Sequence, residues 1–100
     1  MYRGTTPVIE VNVTGIHLSE LENIYVTLRQ DMQEITKTND EIIIEEGNIM
    51  HIPLTQEDTL KFDNGSIRVQ MRATTKDGNA VASNIKKCFI EEILMEGVIR

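Results

Sequence analysis

Hydrophobic and polar residues alternate along most of this chain of 100 residues. Strict alternation is typical of a β-strand that has one face in the core and the other in water. Two segments, "VIEVNVT" and "IYVTLRQ", show it most clearly. The residues that it predicts to face the core are Ile9, Val11, Val13, Ile24, Val26 and Leu28.

The segment "DMQEITKTNDEIIIEEGNIMHIPL" predicts three short strands, at about 32–36, 42–45 and 48–53. Asn39-Asp40 and Glu46-Gly47 supply turn residues between them. The isoleucine run at 42–44 is either partly buried on both sides or close to a sheet edge, and both alternatives stay open.

Two segments predict helical turns between the strands. "HLSELEN" can enter a short helix from Ser19, a residue type that is common at the N-cap. In "LTQEDTLKF", Thr55 and Asp58 have the spacing of a capping box, and Leu54, Leu60 and Phe62 can clamp the turn onto the sandwich.

The segment "SIRVQMRATTKDGNAVASNI" predicts a β-hairpin with Asp77-Gly78 at its tip, because glycine adopts a positive φ at little cost. A two-residue loop would place polar residues on the buried face. A three-residue loop, 76–78, places Ile85 opposite Val69 and Val81 opposite Ala73. Since a one-residue slip exchanges the faces of a strand, burial selects the three-residue loop. The last strand is then predicted to run from 80 to about 94.

Short strands separated by turns every eight to twelve residues favour an all-β fold, an immunoglobulin-like β-sandwich of about seven strands with one or two short helical turns. The length predicts a single domain over residues 1–100.

The net charge of −6 and the pI of about 4.8 argue against nucleic-acid binding and against attraction to an anionic membrane. We expect no membrane span and no signal peptide, because no segment has the required apolar run. The single cysteine, Cys88, excludes an internal disulfide and favours a cytoplasmic or otherwise disulfide-independent protein.

Candidate chemistry is sparse. His17, His51 and Cys88 could in principle form a Cys-His dyad or part of a zinc site, but they lack the close spacing that such ligands show. The sequence also has no nucleophile motif and no phosphate-binding glycine loop. We therefore expect no catalytic residues, no cofactor, no metal and no enzyme activity, and a small-molecule ligand is not favoured.

Four acidic pairs resemble the paired carboxylates of glycosidases or calcium sites. Neighbours on a strand point to opposite faces, however, so solvated turns and strand ends explain these pairs better. The pairs are Asp40-Glu41, Glu45-Glu46, Glu57-Asp58 and Glu91-Glu92.

One surface feature is a candidate interaction surface. Arg68, Gln70 and Arg72 should project from the outward face of one strand, and the chosen register adds Lys86 from the strand beside it. Such a basic strip can dock an acidic protein surface or a sugar. The alternative, which the pattern favours, is solubilising charge on an open sheet face. Exposed sheet edges offer a second route to assembly, by strand addition.

The order of several segments resembles a family of small phage and prophage proteins from Gram-positive bacteria, similar to the N-terminal immunoglobulin-like domain of upper baseplate proteins in phages of lactic acid bacteria. The resemblance covers nearly the whole chain and rests on structural signatures, so no functional residue is carried over. The segments are "MYRGTTPVIEVNV", "LSELENIYVTLRQ", "IPLTQEDTLKF", "GSIRVQMRATTKDGNAVASNI" and "EGVI".

The resemblance implies a virion structural protein of the tail or baseplate, made in the bacterial cytoplasm, that acts as a docking scaffold for other tail proteins. Symmetric assemblies of this kind are compatible with a homo-oligomer. The larger relatives continue into coiled-coil or receptor-binding parts, so a small tail accessory is expected here. The alternative is a carbohydrate-binding module for host cell-wall polysaccharide, which would need exposed aromatic residues.

Overall fold

The computed structural model describes residues 1–13, 15–45, 48–91 and 93–100, and these residues form the predicted all-β sandwich of two antiparallel sheets. Eight strands lie within the described ranges, connected by short turns. They are β1 (Val8–Asn12), β2 (Leu21–Gln30), β3 (Gln33–Thr38), β4 (Ile43–Glu45), β5 (Ile49–Pro53), β6 (Gly65–Thr75), β7 (Ala80–Ala82) and β8 (Lys86–Ile90).

The strands divide into a small sheet and a large sheet. The small sheet has the order β1-β5-β4, and the large sheet has the order β3-β2-β6. Strands β7 and β8 follow one another along the remaining side of β6, so both pair with it. Each sheet therefore has an inner face toward the other sheet and an outer face toward solvent.

The core lies between the two inner faces and consists of the alternate residues that the pattern predicts. All six inward positions predicted in the first two segments are at most 9% exposed. Burying a large aliphatic side chain contributes roughly 1.5–3 kcal/mol, so these positions fix which face of each strand turns inward. The completely buried side chains include Val26, Leu28, Met50, Ile52, Phe62 and Ile67.

In the described part of the chain, three short helical turns connect the strands: 3-10 helices at Leu18–Glu20 and Asn39–Glu41, and the helix α1 at Gln56–Leu60. The predicted N-cap at Ser19 is wrong, since Ser19 lies inside the first turn and His17 precedes it. The capping box of α1 is confirmed. Asp58 N donates to Thr55 Oγ1 over 3.1 Å, and Thr55 N donates to Asp58 Oδ2 over 2.9 Å.

The isoleucine run lies at an edge of the small sheet. Ile42 is buried, whereas Ile43 and Ile44 are exposed on the edge strand β4. The structure thus selects the edge alternative. The predicted turn residues Glu46 and Gly47, like Glu92 and the strand residue Thr14, lie outside the described residues.

The hairpin loop has the predicted three residues. Thr75 N donates to Asn79 O over 2.8 Å, which closes the loop 76–78, and Ala73 lies opposite Val81. Gly78 has a φ of +91°, the conformation for which glycine is needed at the tip.

The partner strand of the hairpin is interrupted after β7, and this overturns part of the predicted register. Ala82 lies opposite Arg72, but Val69 lies opposite Lys86 instead of Ile85. One extra residue is therefore inserted between β7 and β8, as in a β-bulge. Ile85 is 54% exposed, so the predicted burial of this residue and the uninterrupted last strand are both wrong.

The insertion is explained by the residues that come after it. An uninterrupted strand would place the charged Lys87 opposite Ile67, which is completely buried. The extra residue instead places Cys88 opposite Ile67 and buries Ile90. The insertion also turns Lys86 inward, opposite Val69, but that side chain stays exposed and its Nζ donates a hydrogen bond to Glu10 O. The observed register thus avoids an ammonium against the completely buried Ile67 and leaves Ile85 exposed.

Candidate interaction surface

The outer face of the large sheet brings together four cationic side chains. Arg29 of β2, Arg68 of β6 and Lys87 of β8 are direct neighbours across three strands. Arg72 lies on the same side of β6, four residues beyond Arg68. All four are exposed, and we name them together the basic face.

The basic face differs in sign from the rest of the protein. Glu34 lies on the adjacent strand β3, with Oε2 3.7 Å from Arg29 Nε, so the four cations together with this carboxylate carry +3. Because the whole chain carries −6, the remainder carries −9. Asp31 and Asp63 border the Arg29 end from the connecting loops, while Arg72 at the other end lies opposite the uncharged Tyr25.

The structure places Arg68, Gln70 and Arg72 on this outer face, as the alternation predicts. Gln70 is held in position, because its Nε2 donates to Ser83 O over 3.0 Å. Ile85 joins them, since the bulge turns its side chain outward. These residues line a shallow depression of about 320 Å³ together with Thr27, Arg29 and Glu34.

Lys86 does not belong to this face, and its predicted position is wrong. It lies opposite Val69, whose side chain points inward. Its Nζ reaches across to the small sheet and donates to Glu10 O over 2.9 Å. The one-residue insertion before β8 is the cause, and it puts Lys87 on the outer face in place of Lys86.

The candidate catalytic and metal-ligating residues lie on separate elements. His17 precedes the first 3-10 turn, His51 lies in β5 and Cys88 in β8. His51 Nε2 lies 3.2 Å from Glu45 Oε2, although the two atoms are not aligned for a hydrogen bond. Within the described ranges, no three His, Cys, Asp or Glu side chains are grouped to hold a metal ion.

The sequence reasoning missed a charged cluster between β3 and α1. Lys37 is 8% exposed, and its Nζ lies 2.7 Å from Asp58 Oδ2 and 3.2 Å from Glu41 Oε2. The alternation does indicate that Lys37 faces inward, because it lies two residues after the inward-facing Ile35 on the same strand. The acidic pairs Asp40-Glu41 and Glu57-Asp58 thus each place one carboxylate in this cluster.

The surroundings of this cluster shift the pKa values of all three ionisable groups. Burial disfavours the charge of Lys37, but hydrogen bonds and Coulomb attraction from Asp58 and Glu41 outweigh it and raise the pKa of the ammonium. Burial likewise opposes ionisation of Asp58, whereas Lys37 and the Thr55 backbone lower the pKa of its carboxyl. The backbone N–H of Thr38 and then Lys37 lower the pKa of Glu41.

Comparisons of the chain with family models, with characterised proteins and with solved structures found no match. Among the described residues, no helix has the length and apolar character needed to cross a membrane.

Proposed function

We propose that this chain is a structural component of a phage or prophage tail or baseplate, and that it docks other tail subunits through the basic face. The observation that carries the proposal is the +3 charge of this face on a chain of −6. Oppositely charged surfaces steer subunits together and select their orientation. The segment order that resembles small phage and prophage proteins supports the location in the virion.

An acidic protein surface fits the basic face better than a nucleic acid does. A long polyanion would extend past the four cations onto a remainder that carries −9, where it is repelled. We also propose that the chain is not an enzyme and needs no cofactor, on the ground that its sequence holds no motif of nucleophilic or phosphate chemistry.

The test is a binding assay with purified tail and baseplate subunits of the phage or prophage that encodes this chain. We expect the wild type to bind at least one subunit and the variant R68E/R72E to bind it at least about tenfold more weakly, a loss of about 1.4 kcal/mol or more. The matched control is K61E/K76E, which makes the same change of net charge at exposed positions outside the basic face. If no tail subunit binds the wild type, or if both variants lose binding equally, the proposal fails.

A carbohydrate-binding role on the same face is the second candidate, and two exposed aromatic side chains favour it. Tyr25 is 44% exposed beside Arg72, and Phe89 is 69% exposed opposite Ser66. Aromatic rings of this kind can stack on sugars. They lie about 20 Å apart along the strands, so a polysaccharide could contact both whereas one sugar could not.

Calorimetry with cell-wall polysaccharides tests this second role. Binding heat that is lost in Y25A and F89A would favour it over scaffolding. M32A is the control, because it truncates an apolar side chain that is 94% exposed at the turn between β2 and β3. Absence of heat with the wild type would exclude it for the polysaccharides used.

A further inference from the structure

The outer face of the small sheet carries the opposite charge to the basic face. Glu10 on β1 lies opposite His51 on the central strand β5, and Glu45 on β4 lies opposite Ile49 of the same strand. Glu45 Oε2 lies 3.2 Å from His51 Nε2, and both glutamates are exposed. Val8 and Ile43, each 55% exposed, lie in the neighbouring outward positions. We name Glu10 and Glu45, with these two apolar neighbours, the acidic face.

The charges on the two faces have similar spacing. Glu10 and Glu45 are two strands and two residues apart, which places their Cα atoms about 12 Å from each other. Arg68 and Arg72 are four residues apart on one strand, or about 13 Å. Both arginines of one copy can therefore meet both glutamates of another.

We propose that the basic face of one copy docks on the acidic face of a second copy of this chain. The inference names a partner for the basic face and therefore rests on the proposed docking function. Because the two faces lie on opposite sides of the sandwich, the contact is heterologous, and a pair of copies retains one free face of each kind. Further copies can then add to both ends.

The contact is expected to be weak on its own. The small sheet has three strands of at most five residues, so its outer face covers roughly 15 by 17 Å. That is far below the ~800 Å² per partner of a stable interface. Charge attraction must carry much of the association, which should therefore depend on ionic strength and on high local concentration.

Analytical ultracentrifugation of the wild type tests the inference over protein concentrations from micromolar to millimolar. We expect the mean mass to rise with concentration at an ionic strength of about 0.01 M and to fall back toward the monomer at about 1 M, where the Debye length shrinks from about 30 Å to about 3 Å. K61E/K76E should behave like the wild type.

Two charge-reversed variants identify the surfaces. R68E/R72E has two acidic faces and E10K/E45K has two basic faces, so each alone should remain monomeric. An equimolar mixture should associate again, because each variant then offers the charge that the other lacks. Since all four positions are exposed, both variants should keep the wild-type circular dichroism spectrum.

Several results would overturn the inference. These are a wild type that stays monomeric at millimolar concentration and low salt, association that persists in either variant alone, and a mixture that does not associate. A monomeric wild type that still captures a tail subunit through Arg68 and Arg72 would overturn this inference and leave the proposed function standing. If the wild type neither self-associates nor binds a tail subunit, both this inference and the proposed function fail.

Discussion

At the scale of single residues, the buried ammonium of Lys37 is held by two carboxylates, those of Asp58 and Glu41. The variant K37M removes it and leaves Asp58, whose side chain is 14% exposed, without its counter-ion. Because an uncompensated and mostly buried carboxylate is costly, we expect the free energy of unfolding to fall by roughly 2–3 kcal/mol. Equilibrium unfolding in urea measures this loss.

The control for that prediction is K61M, the same substitution at an exposed lysine after α1. It should change the free energy of unfolding by no more than about 0.5 kcal/mol. Equal losses in the two variants would show that the Lys37 cluster does not stabilise the sandwich.

The same cluster predicts how stability depends on pH. The pKa of Asp58 is lowered in the folded state, so the unfolded chain binds more protons in acid. Ionised Asp58 contributes its full stabilisation above the unfolded pKa of about 4, and this stabilisation is lost as the pH falls through the folded pKa. The pKa of Lys37 is raised, so its contribution is complete below about 10.4 and is lost as the pH rises through its folded value.

We therefore expect the free energy of unfolding of D58N to fall less than that of the wild type between pH 5 and pH 2, about the range in which a coupled Asp loses its contribution. In the K37M background, the substitution D58N should alter the pH profile less, because the partner that lowers the pKa is gone. Urea unfolding at several pH values measures both effects. Parallel profiles for wild type and D58N would contradict the assignment.

At the scale of elements, the bulge between β7 and β8 is held by Ser83. Its Oγ accepts a hydrogen bond from Met71 N over 3.0 Å and donates one to Asn84 O over 3.0 Å. The variant S83A leaves the Met71 amide without this acceptor, so we expect a loss of about 1–2 kcal/mol. Hydrogen exchange should quicken at the Met71 amide.

S66A provides the comparison on the neighbouring strand. Ser66 is exposed on β6, and its backbone oxygen accepts a hydrogen bond from Gln30 Nε2 over 3.4 Å. Unfolding in urea should therefore separate the two serine variants. If S83A were as stable as S66A and the Met71 amide remained protected from exchange, the Ser83 hydroxyl would not stabilise the bulge.

The bulge also shows how far the sequence determines this sheet. Alternation identified the inner faces of the first strands and of β6, and the Asp77-Gly78 tip identified the loop, because both signals are local. The register beyond Ala82 depends on whether Lys87 or Cys88 faces Ile67, a competition between strands about twenty residues apart. The register of β7, continued past Ala82, predicts Lys86 on the outer face, whereas the structure has Lys87 there.

The charged cluster escaped prediction for a related reason. The Thr55–Asp58 capping box is a local pattern and was found, whereas the pairing of Asp58 with Lys37 depends on how α1 packs against β3. The basic face depends both on a local pattern and on the packing of separate strands. Arg68 and Arg72 follow from one strand, but Arg29 and Lys87 join them only when the order of the strands is known.

At the scale of the whole molecule, Arg3 links segments from both ends of the chain. Its Nη2 donates to the carbonyl of Leu60, the last residue of α1, over 3.1 Å. Its Nε donates to the carbonyl of Phe62, two residues beyond α1, over 2.5 Å. A further guanidinium nitrogen pairs with Glu96. Arg3 N also donates to Glu91 O over 3.1 Å, so the first residues are fixed beside the end of β8.

A lysine at position 3 keeps the charge but cannot reproduce the planar fork that reaches two carbonyls and a carboxylate at once. We expect R3K to lower the free energy of unfolding by about 1–3 kcal/mol, because the carbonyls of Leu60 and Phe62 lose a charged donor. The comparison is R29K, the same substitution in an exposed pair with Glu34, which should cost at most about 1 kcal/mol. Urea unfolding followed by tyrosine fluorescence and by circular dichroism measures both variants. If R3K were no less stable than R29K, the contacts of Arg3 would not be what holds the two ends of the chain to the sandwich.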